Sequence, residues 1–217
     1  AATFNRDLVK DMYAASASEI RSAGNQWTFA PCIDIVHDAR WGRTGETYGE
    51  DPYLAGEMVK NAISGLQDWE DPQKRVAACP KHLLGGGASV GGCNHAPAEL
   101  SERMVRSYFL PPFQAAIEAG CMTIMPGHNE VDGMPAHASK WLLTDIVKDE
   151  LGFQGFYISD MGDVENLRNI HNVATDQKDA VRQAFQAGLD MHMYYGGDST
   201  RLMRPWLEEL VKEGKIT

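Results

Sequence analysis

The sequence has little of what metal, redox or disulfide chemistry requires. It holds only four cysteines in 217 residues. They are far apart and form no CxxC pair, which excludes a zinc ribbon and a thioredoxin-type motif. The motifs HExxH and GxGxxG, the Walker pattern and an EF-hand loop are all missing, although Gly85-Gly86-Gly87 follows an apolar run as a phosphate loop does. We therefore expect neither a metal site nor a cofactor.

Excess positive charge and long apolar runs are missing as well. Thirty acidic residues against twenty basic ones give a net charge of −10, which opposes binding to phosphate backbones. The longest apolar stretches are far shorter than the ~20 residues that span a bilayer, and residues 1–15 contain no signal-peptide hydrophobic region. We expect a soluble chain with no nucleic acid partner and no membrane partner. The cysteines do not fix its redox compartment.

Short apolar runs alternate along the chain with longer segments of helical spacing. A content of 43% hydrophobic and 23% charged residues is typical of a globular domain. The runs read as buried parallel strands, and the segments between them as covering helices. The predicted strands are 27–30, 76–79, 122–125, 156–159 and 189–193. The predicted helices are 5–23, 51–67, 101–119, 139–150, 176–187 and 201–213.

Polar side chains follow most of the predicted strands. They include His37, Lys81, His82, His128 and Asp160. Strand–helix alternation permits an open doubly wound sheet or a closed barrel. Side chains gathered after several strands favour the barrel, whose loops converge on one face. We predict an α/β fold of the (β/α)8 TIM-barrel type, incomplete in this chain, with about five or six βα units.

Five stretches carry a resemblance to a known family. They are 29–34 (FAPCID), 40–52 (RWGRTGETYGEDP), 81–82 (KH), 129–137 (NEVDGMPAH) and 155–160 (GFYISD). In this order and spacing they resemble the N-terminal barrel domain of glycoside hydrolase family 3, the β-glucosidase family. The likeness covers nearly the whole chain, and a set of ordered motifs is far more specific than any one of them.

The resemblance implies an exo-acting, β-glucosidase-like enzyme that hydrolyses a β-linked glucoside or oligosaccharide with retention. Asp160 would be the catalytic nucleophile and would form a covalent glycosyl-enzyme. From spacing alone, Asp160 could equally be the N-cap of a following helix. An ionised carboxylate is required for the nucleophilic role, and nearby cations would keep it ionised.

The same resemblance assigns residues to the sugar. Lys81 and His82 would hydrogen-bond hydroxyls of the ring, and Arg43 would reach the same ring, unless it only pairs with an acidic neighbour such as Glu46. His95 is expected at the rim of the pocket. It lacks the neighbouring carboxylate that orients an acid/base histidine in another branch of the family.

Two positions depart from the family pattern. His128 stands where a Tyr that touches the nucleophile is common, and Met161 stands where a Trp is common. Both are expected to line the substrate site, and His128 could take over the hydrogen bond to Asp160. Losing the aromatic platform alters how a sugar is oriented, so glucose is not inferred from these residues.

The resemblance also implies segments outside residues 1–217, in the same polypeptide or in a partner chain. Residues 1–217 would be part of a single catalytic barrel domain. Family members have earlier barrel strands with a sugar-binding Asp, and a following α/β sandwich domain that commonly supplies the general acid/base Glu. None of Glu130, Asp132 and Asp163 is assigned that acid role. A periplasmic or secreted protein would fit the family.

Two other functions stay open at this point. The first is a noncatalytic carbohydrate-binding or scaffold remnant of the same barrel. The second is a different barrel enzyme, an isomerase or aldolase that uses Lys81 as a Schiff base. The second does not account for the motifs around Arg43 and Asp160.

Overall fold

A computed structural model describes residues 2–194 and 200–217 as a parallel sheet covered by helices. The α-helices are α1 (Arg6–Ser22), α2 (Pro52–Leu66), α3 (Glu102–Met104), α4 (Pro111–Glu118), α5 (Asp163–Asn169), α6 (Gln177–Ala187) and α7 (Thr200–Lys212). Two π-helical segments, Val105–Phe109 and Trp141–Glu150, complete the covering layer. The strands are β1 (Lys81–Leu83), β2 (Thr123–Pro126), β3 (Glu130–Val131), β4 (Met134–Pro135), β5 (Phe156–Met161) and β6 (Met191–Met193).

Four strands form one parallel sheet in the order β1-β2-β5-β6. A further extended segment lies beside β1, with bridges that join Trp27 to Ala77 and Cys32 to Lys81. Five neighbouring extended segments therefore run in parallel, each followed by helical structure. This is the predicted α/β architecture, and in the described residues it forms an open part of a barrel.

One face of this sheet carries a row of apolar side chains that interlock across the strands. Cys79, Met125 and Ile158 are buried together, with Trp27 and Met193 packed against them. Each of these five residues comes from a different, adjacent extended segment. Such a layer, built from neighbouring strands, is how the interior of a TIM barrel is filled.

The predicted second strand was placed too early. Residues 76–79 do bond to β2, since Thr123 N donates to Ala78 O, but the regular pairing lies at Lys81–Leu83. Lys81 and His82 therefore belong to the strand itself. The apolar run ends at Pro80, and periodicity alone gives no sign that pairing continues through the polar Lys-His pair.

The predicted helix over 101–119 is divided. Leu110 N donates to Val105 O at 2.8 Å, which closes a π-type turn just before α4. Pro111 and Pro112 begin α4, and they lack the N–H groups that would continue the preceding helix. The prolines therefore restart the helix without ending the helical layer.

Helix α5 was not predicted. It is only seven residues long, and its N-cap is Gly162 at φ 74°, which offers no capping side chain. Asp132 and Gly133 form a turn that joins β3 to β4, and both have positive φ (49° and 78°). Ser101 caps α3 and Asp176 caps α6, and the side chain of each accepts a backbone N–H.

Gly87 explains the glycine-rich loop after β1. A Cβ atom on Gly87 would lie 2.2 Å from the carbonyl oxygen of Ile35. The backbone oxygen of Gly87 accepts bonds from the amides of His37 and Asp38 at 2.9 and 2.8 Å. The loop thus packs against the 35–38 segment at a distance that only glycine allows.

No helix in the described ranges combines the length and apolar character needed to cross a bilayer.

Candidate active site

Asp160 lies at the C-terminal end of β5. Its side chain is 14% exposed, and its Oδ1 accepts the backbone N–H of Met161 at 2.7 Å. Gly162, not Asp160, is the N-cap of α5. The helix-cap alternative for Asp160 is therefore wrong, and the carboxylate is available at the end of the barrel where βα loops gather.

Two imidazoles converge on the other oxygen of this carboxylate. His82 Nε2 lies 3.3 Å and His128 Nε2 lies 3.0 Å from Asp160 Oδ2. The two rings are stacked, with centroids 5.9 Å apart. The contact expected between His128 and Asp160 is thus present, and β1, β2 and β5 all contribute to one polar cluster.

Each of these imidazoles is held from behind by a second, buried carboxylate. His82 Nδ1 lies 2.8 Å from Asp34 Oδ2, which also accepts the backbone N–H of His82 at 2.9 Å. His128 Nδ1 lies 2.8 Å from Asp163 Oδ2. Asp34 and Asp163 are both 2% exposed. Asp160 therefore faces two Asp–His pairs.

The charged groups of this cluster shift one another's pKa values. Burial opposes ionisation of Asp160, but the close imidazoles of His128 and His82 outweigh it and hold the pKa of Asp160 well below its usual value. Burial also opposes a charged His128, yet the bonds to Asp160 and Asp163 raise its pKa to about 9. The pKa of His82 is raised as well, since attraction to Asp34 outweighs burial. At neutral pH Asp160 is an anion that faces the imidazolium of His128, and it also faces the ring of His82, whose charged form Asp34 favours.

His137 holds the backbone of Asp160. The N–H of Asp160 donates to His137 Nε2 at 3.1 Å, and His137 Nδ1 lies 3.5 Å from Asp163 Oδ2. Nε2 must be unprotonated to accept this bond, so the ring proton is on Nδ1, facing Asp163. Burial lowers the pKa of His137, which agrees with a neutral ring.

The other predicted site residues are less enclosed. Arg43 makes a two-point ion pair with Glu46 (2.8 and 2.9 Å), the pairing considered as its alternative role. Lys81 is half-buried at the start of β1, and the Met161 side chain is 42% exposed. The ring of His95 packs on that of His128, with centroids 4.7 Å apart. Among the described residues, no carboxylate hydrogen-bonds to His95.

Three residues of this cluster were not predicted to act in the site. Asp34 and His137 stand inside the family-like stretches, but nothing in their spacing assigns them a role. Asp163 was considered only as an acid. Its position three residues after Asp160, at the first turn of a helix, was the signal that could have identified it as a neighbour of Asp160.

Two sets of side chains have ligand atoms close enough to hold a metal ion. They are Cys32, Asp34 and His82, and His95, His128 and Asp163, with the atoms of each set within 4.8 Å of one another. In both sets an Asp and a His already hydrogen-bond directly at 2.8 Å. Hydrogen bonding thus accounts for the proximity of each Asp and His without an ion.

Comparisons with known proteins bear on the whole chain. The sequence is 41% identical over 201 residues to a beta-xylosidase of Formosa agariphila, covering 90% of this chain and 28% of that protein. It is 36% identical over 222 residues to the periplasmic beta-glucosidase of Salmonella typhimurium, covering 100% of this chain and 28% of that protein. The chain thus spans little more than a quarter of the curated relatives it matches.

Solved structures agree with the sequence comparison. The beta-glucosidase of Listeria innocua superposes with a TM-score of 0.92 at 36% identity, over 99% of this chain and 29% of that one. A substituted form of that enzyme has been solved in complex with laminaribiose. The model of the glycosyl hydrolase family 3 N-terminal domain matches residues 1–217. The chain therefore belongs to glycosyl hydrolase family 3, and its incomplete barrel is of that family's N-terminal type.

Proposed function

We propose that the polypeptide to which these residues belong is a retaining, exo-acting β-glycoside hydrolase with Asp160 as its nucleophile. The observation that carries the proposal is the ionised, half-enclosed carboxylate of Asp160, fixed at the end of β5 by two imidazoles. The names of the relatives, beta-glucosidases and beta-xylosidases, support β-glycosides as the substrate class. A Schiff-base enzyme using Lys81 does not fit this family.

In the first step, an oxygen of Asp160 attacks the anomeric carbon as the bond to the leaving oxygen breaks. A general acid protonates the leaving group, and a glycosyl ester on Asp160 results. Water then attacks the same carbon, its proton goes to the conjugate base, and Asp160 is released as a carboxylate. Two inversions give net retention of the β configuration.

Asp160 Oδ1 is the oxygen better placed to attack. Oδ2 faces both imidazoles at 3.0 and 3.3 Å, whereas Oδ1 accepts only the Met161 amide at 2.7 Å. The charged ring of His128, together with the neighbouring ring of His82, stabilises the anion before attack and after release of the sugar. This arrangement suits a carboxylate that must be both a nucleophile and a leaving group.

The remaining residues would hold the sugar. Arg43 uses two of its five N–H donors on Glu46, which fixes the guanidinium plane and leaves other donors for hydroxyls. Lys81, adjoining His82 in β1, supplies a flexible ammonium. His95 packs on His128 and Met161 is partly exposed, so both would line the rim.

The general acid and further sugar contacts would come from other parts of the same polypeptide. Because the chain spans about 28% of the relatives it matches, earlier barrel strands and a following α/β sandwich domain would complete the site. Residues 1–217 would then form part of one catalytic barrel domain, and activity is expected only of the whole protein.

The test uses the whole polypeptide with aryl β-glucoside and aryl β-xyloside as probes. Proton NMR during the first minutes should show the β anomer of the released sugar before mutarotation. Asp160→Asn should abolish turnover, and the matched control Asp145→Asn, at an exposed ion pair with Lys140, should leave it unchanged. The proposal would be overturned if the α anomer appeared before the β anomer, or if Asp160→Asn kept full activity. Sugar binding without any turnover by the wild type would favour the noncatalytic alternative.

A further inference from the structure

Asp163 lies close to both His128 and His137, the two histidines that contact Asp160 through their other ring nitrogens. Its Oδ2 lies 2.8 Å from His128 Nδ1 and 3.5 Å from His137 Nδ1. Through their other nitrogens these two rings contact Asp160, His128 at the carboxylate and His137 at the backbone N–H. One buried carboxylate therefore faces both rings that hold the side chain and the main chain of Asp160.

The position of Asp163 is itself fixed. Its Oδ1 accepts the side-chain amide of Asn166 at 2.9 Å, one turn along α5. The residue lies in the first turn of α5, where the helix dipole favours a negative charge. With 2% exposure, its carboxylate is shielded from competing water. Asp163 is thus a rigid anion and not an adaptable surface group.

We propose that Asp163 is a positioning residue that makes His128 a doubly protonated donor to Asp160 and holds His137 as a neutral acceptor. The inference rests on the proposed role of Asp160 as the nucleophile. The proton placement follows from the bonding. His128 lies between two carboxylates and needs a proton on each nitrogen, whereas His137 must accept at Nε2 and therefore donate from Nδ1.

The charged and titratable groups around His128 come from several elements. They are Asp160 of β5, Asp163 of α5, His82 of β1, His95 of the loop before α3 and His137 of the segment after β4. Attraction to the two carboxylates favours the charged ring, and the neighbouring imidazoles oppose it. Removing the charge of Asp163 leaves Asp160 as the single carboxylate bonded to His128, so the ring loses its proton at lower pH.

The variant test is Asp163→Asn in the whole polypeptide, assayed with a dinitrophenyl β-glycoside. This leaving group needs no acid assistance, so kcat/KM reports the attack by Asp160 without the general acid. We expect kcat/KM to fall on the order of 10²-fold. The alkaline limb of its pH profile should move down, because His128 loses a carboxylate and therefore loses its proton at lower pH.

Glu165→Gln is the matched control. Glu165 lies on the same helix and pairs with His192 at 3.0 Å, but this pair does not contact Asp160. Glu165→Gln should leave the pH profile of kcat/KM unchanged. If Asp163→Asn lowers kcat/KM but does not move its pH profile, the role of Asp163 is purely structural and the proposal is overturned. The proposal would also be overturned if Glu165→Gln shifted the pH profile as much as Asp163→Asn does.

A neutron diffraction map of the deuterated wild-type protein at pH 7 tests the proton placement without any variant. It should show deuterons on both nitrogens of His128 and on Nδ1 alone of His137. A deuteron on Nε2 of His137, or a singly protonated His128, would contradict the proposal even if Asp163→Asn fails to fold. Should Asp160→Asn prove fully active while the map is as expected, the nucleophile assignment fails and the proton placement stands.

Discussion

His128 Nε2 lies 3.0 Å from Asp160 Oδ2, at the position where the resemblance to family 3 leads us to expect a tyrosine. A tyrosine hydroxyl would offer one neutral donor. His128, backed by Asp163, instead offers a charged donor, which is stronger in a shielded site. The substitution therefore changes the electrostatics of the site while it keeps a hydrogen bond to the carboxylate.

Replacing His128 tests this relationship. His128→Phe should lower kcat/KM on the order of 10²-fold, because it removes one donor from Asp160, the proposed nucleophile. The acidic limb of the pH profile should also move up, since kcat/KM requires ionised Asp160 and the pKa of Asp160 rises without this donor. His128→Tyr restores a donor and should retain more activity than His128→Phe. Equal activities of the two variants would show that the hydrogen bond is immaterial.

Asp34 should act on His82 as Asp163 does on His128. Asp34→Asn removes the buried anion bonded to His82 Nδ1, so the pKa of His82 should fall. We expect kcat/KM for an aryl β-glucoside to decrease by about 10-fold or more, with a loss that grows as the pH rises, because His82 then loses its proton at lower pH than in the wild type. Asp38→Asn, at an exposed pair with Arg40, is the control and should not change the profile.

The layout of the barrel could be predicted from the sequence because buried parallel strands leave short apolar runs between amphipathic helices. The placement of Asp160 after such a run was equally visible. The residues that hold the two histidines and the main chain of Asp160 could not be predicted. Asp34, His137 and Asp163 come from three loops or helix ends that are far apart in sequence. Only the fold brings them to the two imidazoles and the main chain that hold Asp160, and no periodicity marks those contacts.

Gln67 links α2 to the sheet and should matter for stability. It is fully buried, its Nε2 donates to Gly120 O at 2.8 Å, and its Oε1 accepts the amides of Ala78 and Met122 at 3.0 and 3.1 Å. Gln67→Ala should lower the free energy of unfolding by about 2–5 kcal/mol, since each unsatisfied buried group costs about 1–3 kcal/mol. Urea unfolding followed by tryptophan fluorescence measures this. Gln114→Ala, on the surface of α4, should change the midpoint little.

Gly87 should not tolerate a side chain. A Cβ atom there would lie 2.2 Å from Ile35 O, so Gly87→Ala must push the loop after β1 away from the 35–38 segment. We expect a loss of about 1–3 kcal/mol in unfolding free energy. Gly45→Ala is the matched control, because a Cβ atom there meets no atom within 4 Å. An unchanged midpoint for Gly87→Ala would show that the loop yields without cost.

The most direct test of the central claim is to trap the covalent intermediate. The whole polypeptide should be incubated with 2-deoxy-2-fluoro-β-glucosyl fluoride, digested and examined by mass spectrometry. One fluoroglycosyl group should be found on the peptide that contains Asp160, and inactivation should follow the same time course as labelling. A label on any other residue, or hydrolysis of the reagent without a labelled enzyme, would contradict Asp160 as the nucleophile.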